Sequence, residues 1–208
     1  YKSYGQDKLI EVILNVKRKV HPWIRLNRVI RDIPNQYISG GNTVTNLRQH
    51  LHKILKDRGE KCRCIRCREV RNKKVDISDI ILLVRQYDSS GGKEYFISFE
   101  TSDENTIMGF VRLRLVENSS VDFIKAIKGA ALVRELHVYG NMKPLFKFKK
   151  EDDKTQHSGF GTLLMKKAEE IALNNGYKKI AVISGVGVKN YYRKLGYDKE
   201  DTFMVKNL

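Results

Sequence analysis

Long apolar runs are missing from this 208-residue chain, and that excludes the simplest membrane readings. No stretch approaches the roughly 20 apolar residues that span a bilayer, so no membrane partner is expected. The opening Tyr1-Lys2-Ser3-Tyr4 lacks the apolar core of a signal peptide. The chain begins with Tyr1 rather than Met, so a piece of a longer protein is expected. Cysteine is scarce: Cys62, Cys64 and Cys67 are all there are, crowded into six positions. An odd, crowded set makes a poor disulfide framework and fits a reducing, cytoplasmic setting. Acidic residues are also outnumbered, 24 against 40 Lys plus Arg, for a net charge of +16. That excess points to a polyanionic partner, since each neutralised phosphate releases counterions. At 41% hydrophobic residues, a sizeable core is available and global disorder is excluded.

Two textures divide the chain near Lys73–Asp76. Before it, Leu9, Ile13, Val16 and Val20 recur at helical spacing until Pro22. Trp23 to Ile33 alternates and reads as a strand stopped by Pro34. A second helix carries Val44, Leu47, Leu51, Ile54 and Leu55, with Asn42, Thr43 and Thr45 as possible N-caps and Gly59 as its stop. After it, Ile80–Tyr87, Glu94–Glu100, Thr106–Val116 and Ala131–Tyr139 read as strands between turn-forming clusters. Beyond Gly159, a helix presents Phe160, Leu163, Leu164, Ala168, Ile171 and Ala172 on one stripe. A short strand at Lys179–Ser184, a helix ending at Leu195-Gly196, and a last strand pair complete an α/β (α+β) pattern.

The chemistry concentrates in Gln156-His157-Ser158-Gly159-Phe160-Gly161-Thr162, which opens a helix after a strand and loop. Glycines there allow close backbone approach, and helix N-terminal amides with the dipole suit a diphosphate. Taken alone, a Gly-rich turn before a helix is as often purely structural. On the preceding strand, period-two alternation puts Glu135, His137 and Tyr139 on one face. Glu135 and His137 are candidates for activating a water or acceptor, or for structural hydrogen bonding.

The order of β-rich half, Leu136-His137-Val138 strand, Gln-x-x-Gly-x-Gly helix, short strand and Tyr192-Arg193-Lys194-Leu195-Gly196-Tyr197 resembles the GNAT acetyltransferase superfamily. The resemblance implies a mixed central sheet flanked by helices and an acetyl-CoA site. It implies that the backbone around Leu136 and Val138 cradles the pantetheine, and that residues 156–162 hold the diphosphate. It also implies that Tyr192 protonates the departing thiolate, with Tyr191 as support or substrate contact. A phenol of pKa about 10 suits that proton transfer. Where this superfamily often has Asn, the chain has Gly185, so the middle of the cofactor must be held differently.

Longer strings sharpen the likeness. Val133-Arg134-Glu135-Leu136-His137-Val138-Tyr139-Gly140, the stretch from Gln156 to Glu169, and the stretch from Ile180 to Tyr197 resemble the Elongator catalytic-subunit family of tRNA wobble-uridine acetyltransferases. Arg25–Pro34, Asn46-Leu47-Arg48 and Cys62–Val70 resemble the end of that family's radical-SAM domain and its linker. The resemblance implies residues 1–60 as the C-terminal part of a radical-SAM domain, 61–75 as a cysteine-containing basic linker and 76–208 as the acetyltransferase domain. It implies acetyl-CoA and the tRNA anticodon region as partners, alongside other Elongator subunits or self-association. It further implies carboxymethyl-type chemistry at carbon 5 of the wobble uridine. S-adenosylmethionine and an iron–sulfur cluster belong only to the longer protein of that family.

Cys62, Cys64 and Cys67 form a CxCxxC knuckle that suits zinc, and less well an iron–sulfur cluster, with His50, His52, water or a more distant group as the fourth ligand. Three ordinary reduced thiols in a basic loop remain the alternative. Basic runs at Lys17-Arg18-Lys19, Arg25/Arg28/Arg31, Arg58–Lys74 and Lys143–Lys150 are candidate RNA contacts, with Arg25, Arg28, Arg63, Arg66, Arg68 and Arg71 foremost. Two rival functions stay open: a protein lysine acetyltransferase, and a tRNA-binding module whose acetyl-CoA site is not catalytic.

Overall fold

The computed structural model describes residues 2–29, 33–44, 46–116, 123–139 and 159–208. They form two compact units, Tyr1–Glu69 and Val70–Leu208.

The first unit is built from α1 (Gln6–Lys19), α2 (Leu47–Asp57) and the single turn α3 (Ile65–Arg68). Leu47, Leu51 and Leu55, one turn apart on α2, bury themselves with Ile10 and Leu14 of α1 and with Cys62 and Cys64. Burying five such aliphatic side chains is worth about 1.5–3 kcal/mol each before chain entropy is charged. Gly59, at φ +69, ends α2 in a Schellman turn: Glu60 N–H reaches Leu55 O and Gly59 N–H reaches Lys56 O.

Three expectations for this unit need correction. The buried stripe of α1 is Ile10, Leu14 and Lys17, while Val16 is half exposed, so the helix is rotated from the stripe read in the sequence. The N-cap of α2 is Asn46, in the left-handed region at φ 59, and no side chain caps it. The Trp23–Ile33 segment forms no strand among its described residues. Its backbone acceptors are used elsewhere: Ile24 O accepts from Ile65 N–H, and Leu26 O and Asn27 O accept from Arg48. Satisfied by a helix start and a guanidinium, these carbonyls need no ladder.

The second unit carries a seven-stranded mixed sheet in the order β1-β2-β3-β4-β5-β7-β6. The strands are β1 (Ile80–Ser89), β2 (Gly92–Thr101), β3 (Ile107–Leu115), β4 (Ala131–Val138), β5 (Lys179–Val182), β6 (Asp198–Glu200) and β7 (Phe203–Asn207). Ser90 and Gly91, both at positive φ, close the β1–β2 hairpin as a two-residue turn whose twist matches its strands. α4 (Phe160–Asn174) lies on one face of the sheet. Its Leu164, Ala168, Ile171 and Ala172 share a core with Ile97, Val111, Leu113 and Val133. α5 (Lys189–Lys194) adds Tyr192 to the same core. All β1–β4 strands and α4 expected from the sequence are present. No described helix is long and apolar enough to cross a membrane.

Candidate active site and thiolate cluster

β4 and β5 run parallel but pair only over Ala131↔Ile180, Leu132↔Ala181 and Val133↔Val182. One more bond, Ile183 N–H to Val133 O at 3.1 Å, ends the pairing. Among the described residues β4 continues to Val138 bonded only to β3, so its other edge, from Arg134 onward, has no β5 neighbour. A bulge helps: Arg112 pairs with Glu135 and Leu113 with Val133, leaving Arg134 as the extra residue that bends the strand. The notch between the strands exposes backbone amides and carbonyls that a ligand's own amides could bond.

α4 begins at this notch. Its N-cap, Gly159, is extended at φ −64 and ψ 167 with no side-chain cap. First-turn amides of an α-helix have no intrahelical acceptor, and the dipole adds positive potential there. Gly159 has open space around it, whereas a Cβ on Gly161 would lie 2.6 Å from the Tyr191 hydroxyl and 3.6 Å from Val138 Cγ2. Gly161 is therefore the glycine that the packing requires. Gln156, His157 and Ser158 lie outside the described residues. Gly185, at φ −64, meets only a Val188 methyl at 3.9 Å, so a side chain would fit there.

Tyr191 and Tyr192 meet edge to face, 5.2 Å between ring centroids, and Tyr192 meets Tyr197 at 6.0 Å. The Tyr191 hydroxyl is buried without a hydrogen-bonding partner among the described residues. Burial raises its pKa, with Thr162 opposing the shift. Burial likewise pushes Tyr192 up to about 12, aided by Tyr191, so its phenol stays protonated at neutral pH. Gly196, at φ +85, lets Tyr197 N–H return to Tyr192 O and fixes the pair. Tyr197 then donates to Glu169 of α4 at 2.7 Å, tying α5 to the helix.

Leu136 packs into the core under α4, and Val138 lies beside Gly161, so these two line the notch on the helix side. Glu135 and His137 take the opposite face. Glu135 is bonded to Arg112 Nε at 3.0 Å, and His137 stacks with Phe110 and meets Tyr139 at a tilt. Arg112 also donates to Tyr87, which donates to Glu94; Glu94 in turn accepts from Arg114 and Arg134. Glu94 is 2% exposed, and although burial raises its pKa, these donors together lower it by more. Sequence reasoning missed this network; its only signal was acidic residues alternating with apolar ones on β2.

In the first unit, the sulfurs of Cys62, Cys64 and Cys67 all lie within 4.8 Å of one another, Cys64 and Cys67 at 3.4 Å. Sulfurs on one tetrahedral ion, at metal–sulfur bonds of about 2.3 Å, stand about 3.8 Å apart. The cluster fits a single ion. His52 Nε2 is 3.5 Å from Cys67 Sγ, whereas His50 makes no such approach. Hydrogen bonds from Cys62 and Cys67 hold Cys64 well below the usual thiol range, and the same contacts push Cys62 and Cys67 up.

The cationic candidates separate by burial. Arg28, Arg63 and Arg71 are exposed. Arg25 is paired with Glu69, and Arg66 donates to Asn27 O at 2.6 Å. Arg68 is 3% exposed, with its guanidinium on Arg63 O and Pro22 O. Buried and fully used inside the fold, it is not placed to meet a polyanion, which corrects its assignment as an RNA contact. Lys17 is corrected in the same way, being wholly buried.

Residues 64–197 match the acetyltransferase (GNAT) family. The chain belongs to that family. Its whole length is 43% identical to Elongator complex protein 3 of Bos taurus and 40% identical to that of Saccharomyces cerevisiae. It spans 38% of the length of each of these relatives. The solved structure of archaeal Methanocaldococcus infernus Elp3 with an N-terminal deletion superposes with a TM-score of 0.84 at 41% identity. That superposition covers 99% of this chain and 49% of the archaeal one.

Proposed function

We infer that this chain is the acetyl-transferring part of an Elongator-type tRNA acetyltransferase. It binds acetyl-CoA and the anticodon region of tRNA and activates the thioester for carboxymethyl-type modification at carbon 5 of the wobble uridine. The observation that carries this reading is the parting of β4 from β5 at Val133, with the start of α4 and the Tyr191 hydroxyl beside the opening and Tyr192 packed behind Tyr191.

The residues present fit the cofactor. Gly161 and Val138 form a cradle, and the Tyr191 hydroxyl, buried near Thr162 and without a hydrogen-bonding partner among the described residues, would donate to a ligand acceptor. The amides at the start of α4, with Gln156, His157 and Ser158, would hold the diphosphate. The β4 backbone around Leu136 and Val138 would hold the pantetheine arm. Acetyl-CoA supplies the activated acetyl group. Tyr192, kept protonated by burial, would be the acid for the departing thiolate. Arg112 keeps Glu135 in place on the other side of the sheet, where Glu135 and His137 would act on the acceptor. Arg28, Arg63 and Arg71 would meet RNA phosphates.

In the first unit, which we read with residues 1–60 as the end of a radical-SAM domain, Cys62, Cys64 and Cys67 would hold zinc as a structural ion. The deciding experiment is acetyl-CoA cleavage measured with tRNA against a lysine-containing peptide. Release of CoA stimulated by tRNA supports the reading. Stimulation by peptide alone favours a protein lysine acetyltransferase, and tRNA binding without release favours a non-catalytic module.

A further inference from the structure

Lys17 is among the largest wholly buried side chains of the molecule, at 0% exposure. It sits on α1 in the stripe with Ile10 and Leu14, a position that an aliphatic residue would fill at no electrostatic cost. Taking an ammonium out of water costs several kcal/mol unless an anion receives it. Among the described residues no carboxylate pairs with it. Its only acceptor there is Cys67 Sγ, 3.9 Å from Nζ. A neutral thiol is a weak acceptor and does not repay that desolvation; a sulfur made anionic by metal coordination does. The other two members of the basic run, Arg18 and Lys19, keep contact with solvent, so burial of Lys17 is specific.

We propose that Lys17 is the buried counter-charge of a four-ligand metal centre made by Cys62, Cys64, Cys67 and His52, its ammonium donating to the Cys67 sulfur. A divalent ion with three thiolates and a neutral imidazole carries one net negative charge. The Lys17 ammonium cancels it inside a core that Leu14, Leu47 and Leu51 keep dry. Lys17 is thus a positioning residue: it orients and stabilises one ligand without touching the metal, the role that outer-sphere donors play in metal sites. This rests on reading the cysteine cluster as a zinc-class site.

The test compares the chain with Lys17→Met, an apolar side chain of similar length. Both are freed of metal, titrated with zinc in competition with a chromogenic chelator, and loaded with cobalt(II) for its sulfur-to-metal absorption. The parent takes up one ion per chain with thiolate absorption. Lys17→Met also takes up one, about 10–100-fold more weakly, and its charge-transfer band shifts. Thermal melting adds a signature that simple packing does not produce. Removing an uncompensated ammonium stabilises the metal-free chain, whereas removing the counter-charge destabilises the loaded one. Equal zinc affinity in the two proteins, or midpoints that move in the same direction with and without metal, overturns the role of Lys17 while leaving the metal site standing. No uptake by the parent, or iron with labile sulfide in place of a single ion, overturns the four-ligand centre itself. If Lys17→Met does not fold, Lys17→Gln, which keeps a donor but not the charge, is read in the same assays.

Discussion

The hydroxyl of Tyr191 occupies the space beside Gly161, 2.6 Å from where a Cβ on residue 161 would stand. One side chain from α5 thereby limits what the first turn of α4 can be, and links the helix start to the tyrosine pair.

Gly161→Ala should accordingly displace Tyr191 and weaken acetyl-CoA binding about tenfold or more, roughly 1.4 kcal/mol. Gly159→Ala, facing open space without positive φ, should change binding by less than a few-fold. Isothermal titration of the two variants checks the contrast. Equal losses would show that the glycines act through backbone freedom rather than through Tyr191.

Tyr192→Phe keeps the ring contacts and removes the acid. Loss of a general acid costs about 10²–10⁴-fold in rate, and tRNA-dependent CoA release should fall by at least the lower figure while acetyl-CoA affinity is kept. The pH dependence has a definite sign. With its pKa pushed up to about 12, against about 10 in an unfolded chain, the phenol stays protonated through about pH 10. No loss of rate from Tyr192 ionisation should appear below that. The stability from burying it protonated is full below about pH 10 and is lost as pH rises through about 12.

Glu94→Gln leaves Arg114 and Arg134 facing a neutral group at a site 2% exposed. Because Arg134 is 47% exposed and Arg114 keeps Ser89 O and Ser90 O, losing the charge-assisted bonds should cost about 1.5–3 kcal/mol, measured by denaturant unfolding. Glu135→Gln, at a position whose side chain is 40% exposed, should cost under about 1 kcal/mol. An equal cost at both positions would argue against Glu94 as the centre of the network.

Arg28→Glu and Arg63→Glu should each weaken tRNA binding at all sequences. Each should also lower the salt slope by about 0.7–0.9 for every phosphate that is no longer neutralised. Arg28→Glu should leave thermal stability nearly unchanged. Arg68→Ala should do the reverse, lowering the melting temperature because Pro22 O and Arg63 O are then left without their buried donor. Filter binding across salt concentrations, with melting curves, separates the two classes.

Much of the second unit is legible from residue order. Val111, Leu113 and Leu115 alternate with Arg112 and Arg114, and that period of two identifies β3 and its buried face. Phe160 to Ala172 repeats at helical spacing, and the observed burial of α4 follows it closely. The first unit was harder. Trp23–Ile33 alternates like a strand, yet Arg48 and the start of α3 take its carbonyls, and a periodicity argument cannot see such partners. Lys17 and Arg68 read as surface charge because composition assigns cations to solvent by default. One sits beside the Cys67 sulfur and the other bridges two loop carbonyls.

By itself, then, the sequence determined which segments of the second unit are strands and helices, where the glycine turn meets α4, and that three thiols lie within reach of one another. These are local properties, set by side-chain period, turn chemistry and covalent spacing. Only the tertiary structure decided that β4 parts from β5 at Val133, that Tyr191 closes on Gly161, and that Lys17 turns inward to Cys67. Each of these joins residues far apart in the chain. Their energies come from desolvation and close packing, which exist only once the elements have come together.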